Sequence, residues 1–75
     1  MPELRKVSGK EAIQALERLG FRQVRQRGSH VIFKKRISTG DIGCVVPLHG
    51  ELKIGTLRGI LKLAKIEPEE FLKNL

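Results

Sequence analysis

HVIFKKRI, residues 30–37, decides how the rest of the chain must fold. Its branched and aromatic residues are those of a β-strand. Successive side chains of a strand point to opposite faces. One face then carries Val31, Phe33, Lys35 and Ile37, and the other carries His30, Ile32, Lys34 and Arg36. The first set holds three large apolar groups and belongs on a core. Burying Lys34 and Arg36 without partners would be costly, so the second set belongs on an uncovered face. His30 is therefore expected in solvent, between cations.

The flanking residues extend this strand into a sheet. Arg27-Gly28-Ser29 reads as a turn, preceded by a short strand over Phe21 to Gln26. Ser38-Thr39-Gly40-Asp41 reads as a second turn, followed by a third strand over Ile42 to Leu48, with Pro47 at its end. Two tight turns between neighbouring strands imply an antiparallel meander. Upstream, Ser8 and Glu11 form an S-x-x-E capping box, and Ala12, Ile13, Leu16 and Leu19 recur at helical spacing. The spacing predicts a helix over residues 9–19, with Gly20 as its left-handed stop. Downstream, Leu57, Ile60, Leu61 and Ala64 form the apolar stripe of a second helix, with Thr56 as its cap. Pro68, Glu69 and Glu70 suit the first turn of a short last helix, whose Phe71 and Leu72 fold back onto the core. The expected fold is α+β: a three-stranded antiparallel sheet with two helices on one face and a short C-terminal helix. An amphipathic helix must bury its stripe, and the sheet is the large partner at hand.

A chain of 75 residues is one small domain, spanning residues 1–75. A lone cysteine, Cys44, suits a reducing compartment, and no Cys/His cluster points to zinc. The opening MPELRKVSGKE is charged and lacks the apolar core of a signal peptide; no run is long enough to span a bilayer. These features predict a cytoplasmic protein with no membrane segment.

The net charge is +7, and its placement is more informative than its size. Between Arg18 and Gly40 there is no acid, and seven bases fall there: Arg18, Arg22, Arg25, Arg27, Lys34, Lys35 and Arg36. The rest of the chain holds eight bases against eight acids, so the whole excess lies around His30. Such a concentrated excess is the footprint of a polyanion binder, although a charge run can also be only a solvated face. Imidazole both takes and gives a proton near neutral pH. Among cations that bind phosphate, it could remove the proton from a ribose 2′-hydroxyl, while Lys and Arg stabilise the charge developing on the phosphoryl oxygens. Gly28 would allow close backbone approach, and the Ser29 hydroxyl could bond a phosphate oxygen. Taken alone, a single histidine at a strand edge reads first as structural or idle, and only second as catalytic.

Four segments carry a wider resemblance: SGKEAIQALERLGF (8–21), RQRGSHVIF (25–33), VVPLHGELKIGTLRGILKLAKI (45–66) and PEEFL (68–72). In this order they resemble the HicA-type mRNA interferases, toxins of toxin–antitoxin pairs. Gly28-Ser29-His30 and Gly55-Thr56-Leu57-Arg58 are the most specific parts of the match. The resemblance implies an α-β-β-β-α fold like that of double-stranded-RNA-binding domains. It implies one essential histidine, which maps onto His30, and mRNA cleavage without a metal or other cofactor. It also implies inactivation by a HicB-type antitoxin that covers the site. The candidate site is then His30 as catalytic base, with Arg25, Arg27, Gly28, Ser29, Lys34 and Arg36 on the RNA. The chain departs from the family in the loop PLHGELKIG, where an extra residue is common near His49, and in HVIFKKR, where more polar residues often follow the histidine.

Other residues have blander readings. His49 reads as a turn residue bonding backbone groups, with a general-acid role as the alternative. Cys44 reads as a small core residue, and Ser29 has no relay that would make it a hydrolase nucleophile. The stripe Arg58, Lys62, Lys65 reads equally as solvated or RNA-bound, and Lys10 could touch a phosphate. The only aromatics are three Phe, with Phe21 and Phe71 assigned to the core, so base stacking has little to work with. Two rival functions stand beside the nuclease: a non-catalytic RNA-binding module of the same fold, and a protein whose basic face docks an acidic partner.

Overall fold

The computed structural model describes residues 4–75; residues 1–3, part of the charged N-terminus read above, lie outside them. Six elements follow in order: α1 (Gly9–Arg18), β1 (Arg22–Arg27), β2 (His30–Ile37), β3 (Gly40–Pro47), α2 (Ile54–Ala64) and α3 (Pro68–Lys73). The fold is α+β, an antiparallel sheet in the order β1-β2-β3 with helices before and after it. It is consistent with the double-stranded-RNA-binding-domain arrangement expected from the sequence.

Helix α1 starts at a complete capping box. The Ser8 hydroxyl accepts from the Glu11 N–H (3.0 Å), and the Glu11 carboxylate accepts from the Ser8 N–H (2.9 Å). Two orphan donors are thus satisfied, and the cap contributes about 1 kcal/mol. The helix closes through Gly20 at φ 96° and through Phe21, whose N–H donates to the Leu16 carbonyl (3.0 Å). Phe21 was expected to open the first strand; held by this bond, it ends the helix instead, and β1 begins at Arg22. Lys35 adds a further stop, donating to the Leu19 carbonyl (2.9 Å) with its ammonium 5.7 Å from the centre of the Phe21 ring. A cation at a helix C-terminus meets the negative end of the dipole.

Ala12, Ala15 and Leu16 of α1, and Leu57, Ile60, Leu61 and Ala64 of α2, are buried with Val31, Phe33, Cys44 and Val46 of the sheet. These residues form one core with Phe21, Leu52 and Phe71. Both long helices pack chiefly over β3. All six residues of β1 are exposed, so the layer of helices stops short of that strand.

Other boundaries also differ from expectation: Arg27 ends β1, paired with His30, rather than opening the turn. Thr56 does not cap α2: the helix begins three residues earlier than that cap would place it, at Ile54, with Lys53 as N-cap and no side-chain bond to it. The chain is pinned just upstream, where Leu52 bridges to Val7 and donates to its carbonyl (2.7 Å), and the helix starts at once. The third strand begins at Gly40 rather than Ile42, because only Ser38 and Thr39 form the turn and Ile37 pairs with Gly40. Helix α2 ends at Lys65, which adopts the left-handed conformation (φ 57°), and Ile66 N–H closes back on the Leu61 carbonyl (2.9 Å).

Candidate functional site

Antiparallel register sorts the side chains, because directly opposed residues share a face. His30 pairs with Arg27 on β1 and Pro47 on β3, and Val31 pairs with Gln26 and Val46. Val31 and Val46 are buried beneath the helices, so His30, Arg27 and Pro47 lie on the opposite, uncovered side. His30 is exposed, as the alternation along β2 predicts.

The same bookkeeping along β1 meets an irregularity. Arg25 pairs with Ile32, but the next partnered residue is Gln23, opposite Phe33, so Val24 forms a bulge. A bulge inserts one residue and resets the alternation beyond it. Arg22 therefore pairs with Lys34 and joins the uncovered face, where strict alternation from Arg27 would have sent it to the other side. The uncovered face then carries Arg22, Arg25 and Arg27 on β1, His30, Lys34 and Arg36 on β2, and Asp41 opposite Arg36 on β3. Ile32 and Val45 lie between the charged rows.

The end of the sheet that carries His30 is tied down by backbone bonds. The Ser29 carbonyl accepts from the Leu48 N–H (2.7 Å), and the Gly28 carbonyl accepts from the Gln26 side chain (3.0 Å). Gly28 sits at φ 58° with open space around it, so glycine serves the turn's conformation there rather than its packing. The loop after β3 is held from the other side, where the Gly9 N–H donates to the His49 carbonyl (2.8 Å). A Cβ on Gly9 would collide with the Pro47 carbonyl oxygen and lie 3.1 Å from the Leu48 Cα. The start of α1 is thus seated directly on the loop that borders His30.

The structure brings together some of the sequence-predicted residues and separates others. Gly28, Ser29 and Arg27 adjoin His30, and Arg25 is one alternation step away. Lys34 is four residues along β2 and Arg36 six, which at about 3.3 Å per residue is ~13 and ~20 Å from His30. One phosphate at His30 cannot meet them all. Arg36 also has a local partner, with its Nε 3.6 Å from an Asp41 carboxylate oxygen. Arg22, absent from the sequence-based candidates, shares the face with Lys34. No apolar alternation in RQVRQR announces the bulge that brings it there.

The remaining candidates fall elsewhere. Cys44 is buried, and burial pushes its thiol up to about 11, which keeps it protonated and non-nucleophilic at neutral pH. Phe21, Phe33 and Phe71 are all buried, so no phenyl ring is on the uncovered face, and the His30 imidazole is its one aromatic ring among the described residues. Arg58, Lys62 and Lys65 are exposed on the helical side of the molecule. Among the described residues, no group of three or more His, Cys, Asp or Glu could hold a metal ion, and no helix is long and apolar enough to cross a membrane. A search of curated proteins finds no match to this chain. A family model for the HicA toxin of bacterial toxin–antitoxin systems matches residues 9–66, from the first residue of α1 to just beyond α2.

Proposed function

This chain belongs to the HicA toxin family and is the toxin of a toxin–antitoxin pair; from that premise we propose that it is a single-domain, cytoplasmic endoribonuclease that cleaves mRNA with His30 as general base. The observation that carries this reading is the exposed imidazole on the uncovered sheet face, opposite Arg27 and next to Ser29. Neutral His30 takes the proton of a ribose 2′-hydroxyl. The freed oxygen attacks the adjacent phosphorus, the bond from phosphorus to the 5′-oxygen breaks, and that oxygen leaves with a proton given by water or by the now protonated His30. The products are a 2′,3′-cyclic phosphate and a 5′-hydroxyl. In this scheme Arg27 neutralises the charge gathering on the phosphoryl oxygens and Ser29 orients them, a reading supported by their positions opposite and next to His30. General-base help of this kind is worth about 10²–10⁴-fold. No metal enters this scheme. A HicB-type antitoxin is the partner, and its simplest inhibitory pose covers the His30 face.

The test is cleavage of mRNA by purified protein. His30→Ala should lose ~10²-fold or more in rate, in line with general-base catalysis, with its circular dichroism unchanged and with chelator having no effect on the parent protein. Undiminished cleavage by the variant removes the mechanism, and cleavage abolished by EDTA replaces it with a metal nuclease. The rival reading, an RNA-binding module without catalysis, is favoured by one observation. Among the described residues no side-chain hydrogen bond orients the His30 ring. That rival predicts salt-dependent RNA binding and no products.

A further inference from the structure

We infer that the uncovered sheet face is a one-sided track for single-stranded RNA, in which Arg25, Arg22 and Lys34 hold the nucleotides on one flank of the scissile phosphate. The inference rests on the RNA-cleaving reading above and adds to it a one-sided extent, a length and a substrate conformation.

His30 stands at one end of the sheet, and the face's other charges all extend away from it. Arg27 is opposite His30, Arg25 is one alternation step further, and the Arg22–Lys34 pair follows. These four cations are exposed, and none has an acidic partner among the described residues. Free cations on one face are disposed to bind an external polyanion. The row has a definite end, because Asp41 is the face's one acid among the described residues and sits against Arg36. Beyond His30 in the other direction the sheet face ends and the charge is mixed: Lys6 pairs with Glu51 (3.9 Å), Glu11 is committed to its cap, and the cations Lys10 and Lys53 belong to α1 and the start of α2 rather than to the sheet. The attractive field is therefore lopsided with respect to the site.

The bulge at Val24 supports this assignment. Without it, Arg22 would face the helical side and the row would stop at Arg25. Substrate conformation follows from spacing. Strands β1 and β2 lie about 4.8 Å apart, so their cations flank a single phosphate line and are too close together to address both backbones of a duplex. With no aromatic ring on the face beyond His30 itself, the grip along the row is on the backbone rather than on stacked bases. From His30 to Lys34 is ~13 Å, room for about four nucleotides at a stacked rise of ~3.4 Å, and fewer if they are unstacked.

Two series of RNA oligonucleotides test this, sharing one cleavage site and extended by two to six nucleotides on either the 5′ or the 3′ side. Extension on one side should raise kcat/KM by tenfold or more within about four nucleotides, and extension on the other by less than twofold. Arg22→Ala combined with Lys34→Ala should remove most of that gain, while Lys62→Ala on the helical side should retain it. Binding of the same oligonucleotides to the His30→Ala protein, which leaves them intact, should show the same asymmetry. In that assay the double variant should lower the salt slope, d log K/d log[salt], by about 1.4 at ~0.7 per lost contact. Equal gain from both flanks, a gain that survives the double variant, or equal affinity for a duplex overturns the track. If no RNA is cut, the catalytic reading falls; the binding measurements then decide the track by themselves.

Discussion

Gly9→Ala sets two physical effects against each other, and the structure predicts which wins. Helix propensity alone favours alanine by up to about 1 kcal/mol over glycine. Packing opposes it, because the new methyl would collide with the Pro47 carbonyl oxygen and come within 3.1 Å of the Leu48 Cα and 3.2 Å of the His49 N. All three neighbours are backbone, which yields less readily than the end of a flexible side chain. Overpacking of this kind costs typically ~1–3 kcal/mol. Moving the helix away to relieve it would stretch the bond from Gly9 N–H to the His49 carbonyl, now 2.8 Å, which contributes about 1 kcal/mol. The net expectation is a loss of about 1–3 kcal/mol, and for a domain of this size each kcal/mol lowers Tm by roughly 4–8 °C. Thermal melting followed by circular dichroism measures it directly. The loop that the methyl displaces borders His30, so RNA cleavage should fall in the same variant at temperatures where it remains folded. A Gly9→Ala protein that melts at or above the parent temperature would show that propensity dominates and that the seat of α1 on the loop is looser than described.

Arg27 and Arg36 should separate in function. Arg27→Ala should reduce kcat/KM on RNA by at least tenfold and Arg36→Ala by only a few-fold, since Arg36 is ~20 Å from His30 and paired with Asp41; equal losses would contradict the placement of the cleaved bond. Lys65→Gly should stabilise the fold by up to about 1 kcal/mol, because a left-handed L-residue costs roughly 1–2 kcal/mol and glycine returns part of that as extra unfolded-state entropy. A rise in Tm of a few degrees is the expected readout, and a fall would mean that Lys65 makes a compensating contact. Cys44 should resist thiol reagents in the native protein at neutral pH. Its thiol is raised from 9.0 to about 11, so its contribution to stability is fully present below pH 9 and is lost as pH climbs towards 11. Rapid labelling at pH 7.5 without unfolding would refute that burial.

The legible parts of this fold were those where local chemistry and long-range packing agree. Ser8 and Glu11 announce the start of α1 in their own side chains, and the structure forms both bonds. The alternation in HVIFKKRI is strong because Val31 and Phe33 have a core to enter, so the exposure of His30 could be read directly from it. RQVRQR has no such pattern: Val24 is its one apolar residue, nothing in the sequence pins its register, and the bulge that turns Arg22 onto the uncovered face left no trace. Thr56 misled for a related reason. A hydroxyl near a helix start resembles a cap, but the tertiary bridge between Val7 and Leu52 sets where α2 begins. Arg36 was grouped with His30 because charge along a sequence carries no distance; the strand spreads the two over ~20 Å.

The arginines that would meet RNA ride on the least anchored strand. β1 hydrogen-bonds to one neighbour, has open solvent along its other edge, and is not sandwiched under the helices. Its amides should fray and exchange with solvent ahead of those of β2 and β3. A polyanion laid across β1 and β2 would staple that margin to the rest of the sheet. Bound RNA should then slow amide exchange at residues 22–27 first and raise the melting temperature in step with its own concentration.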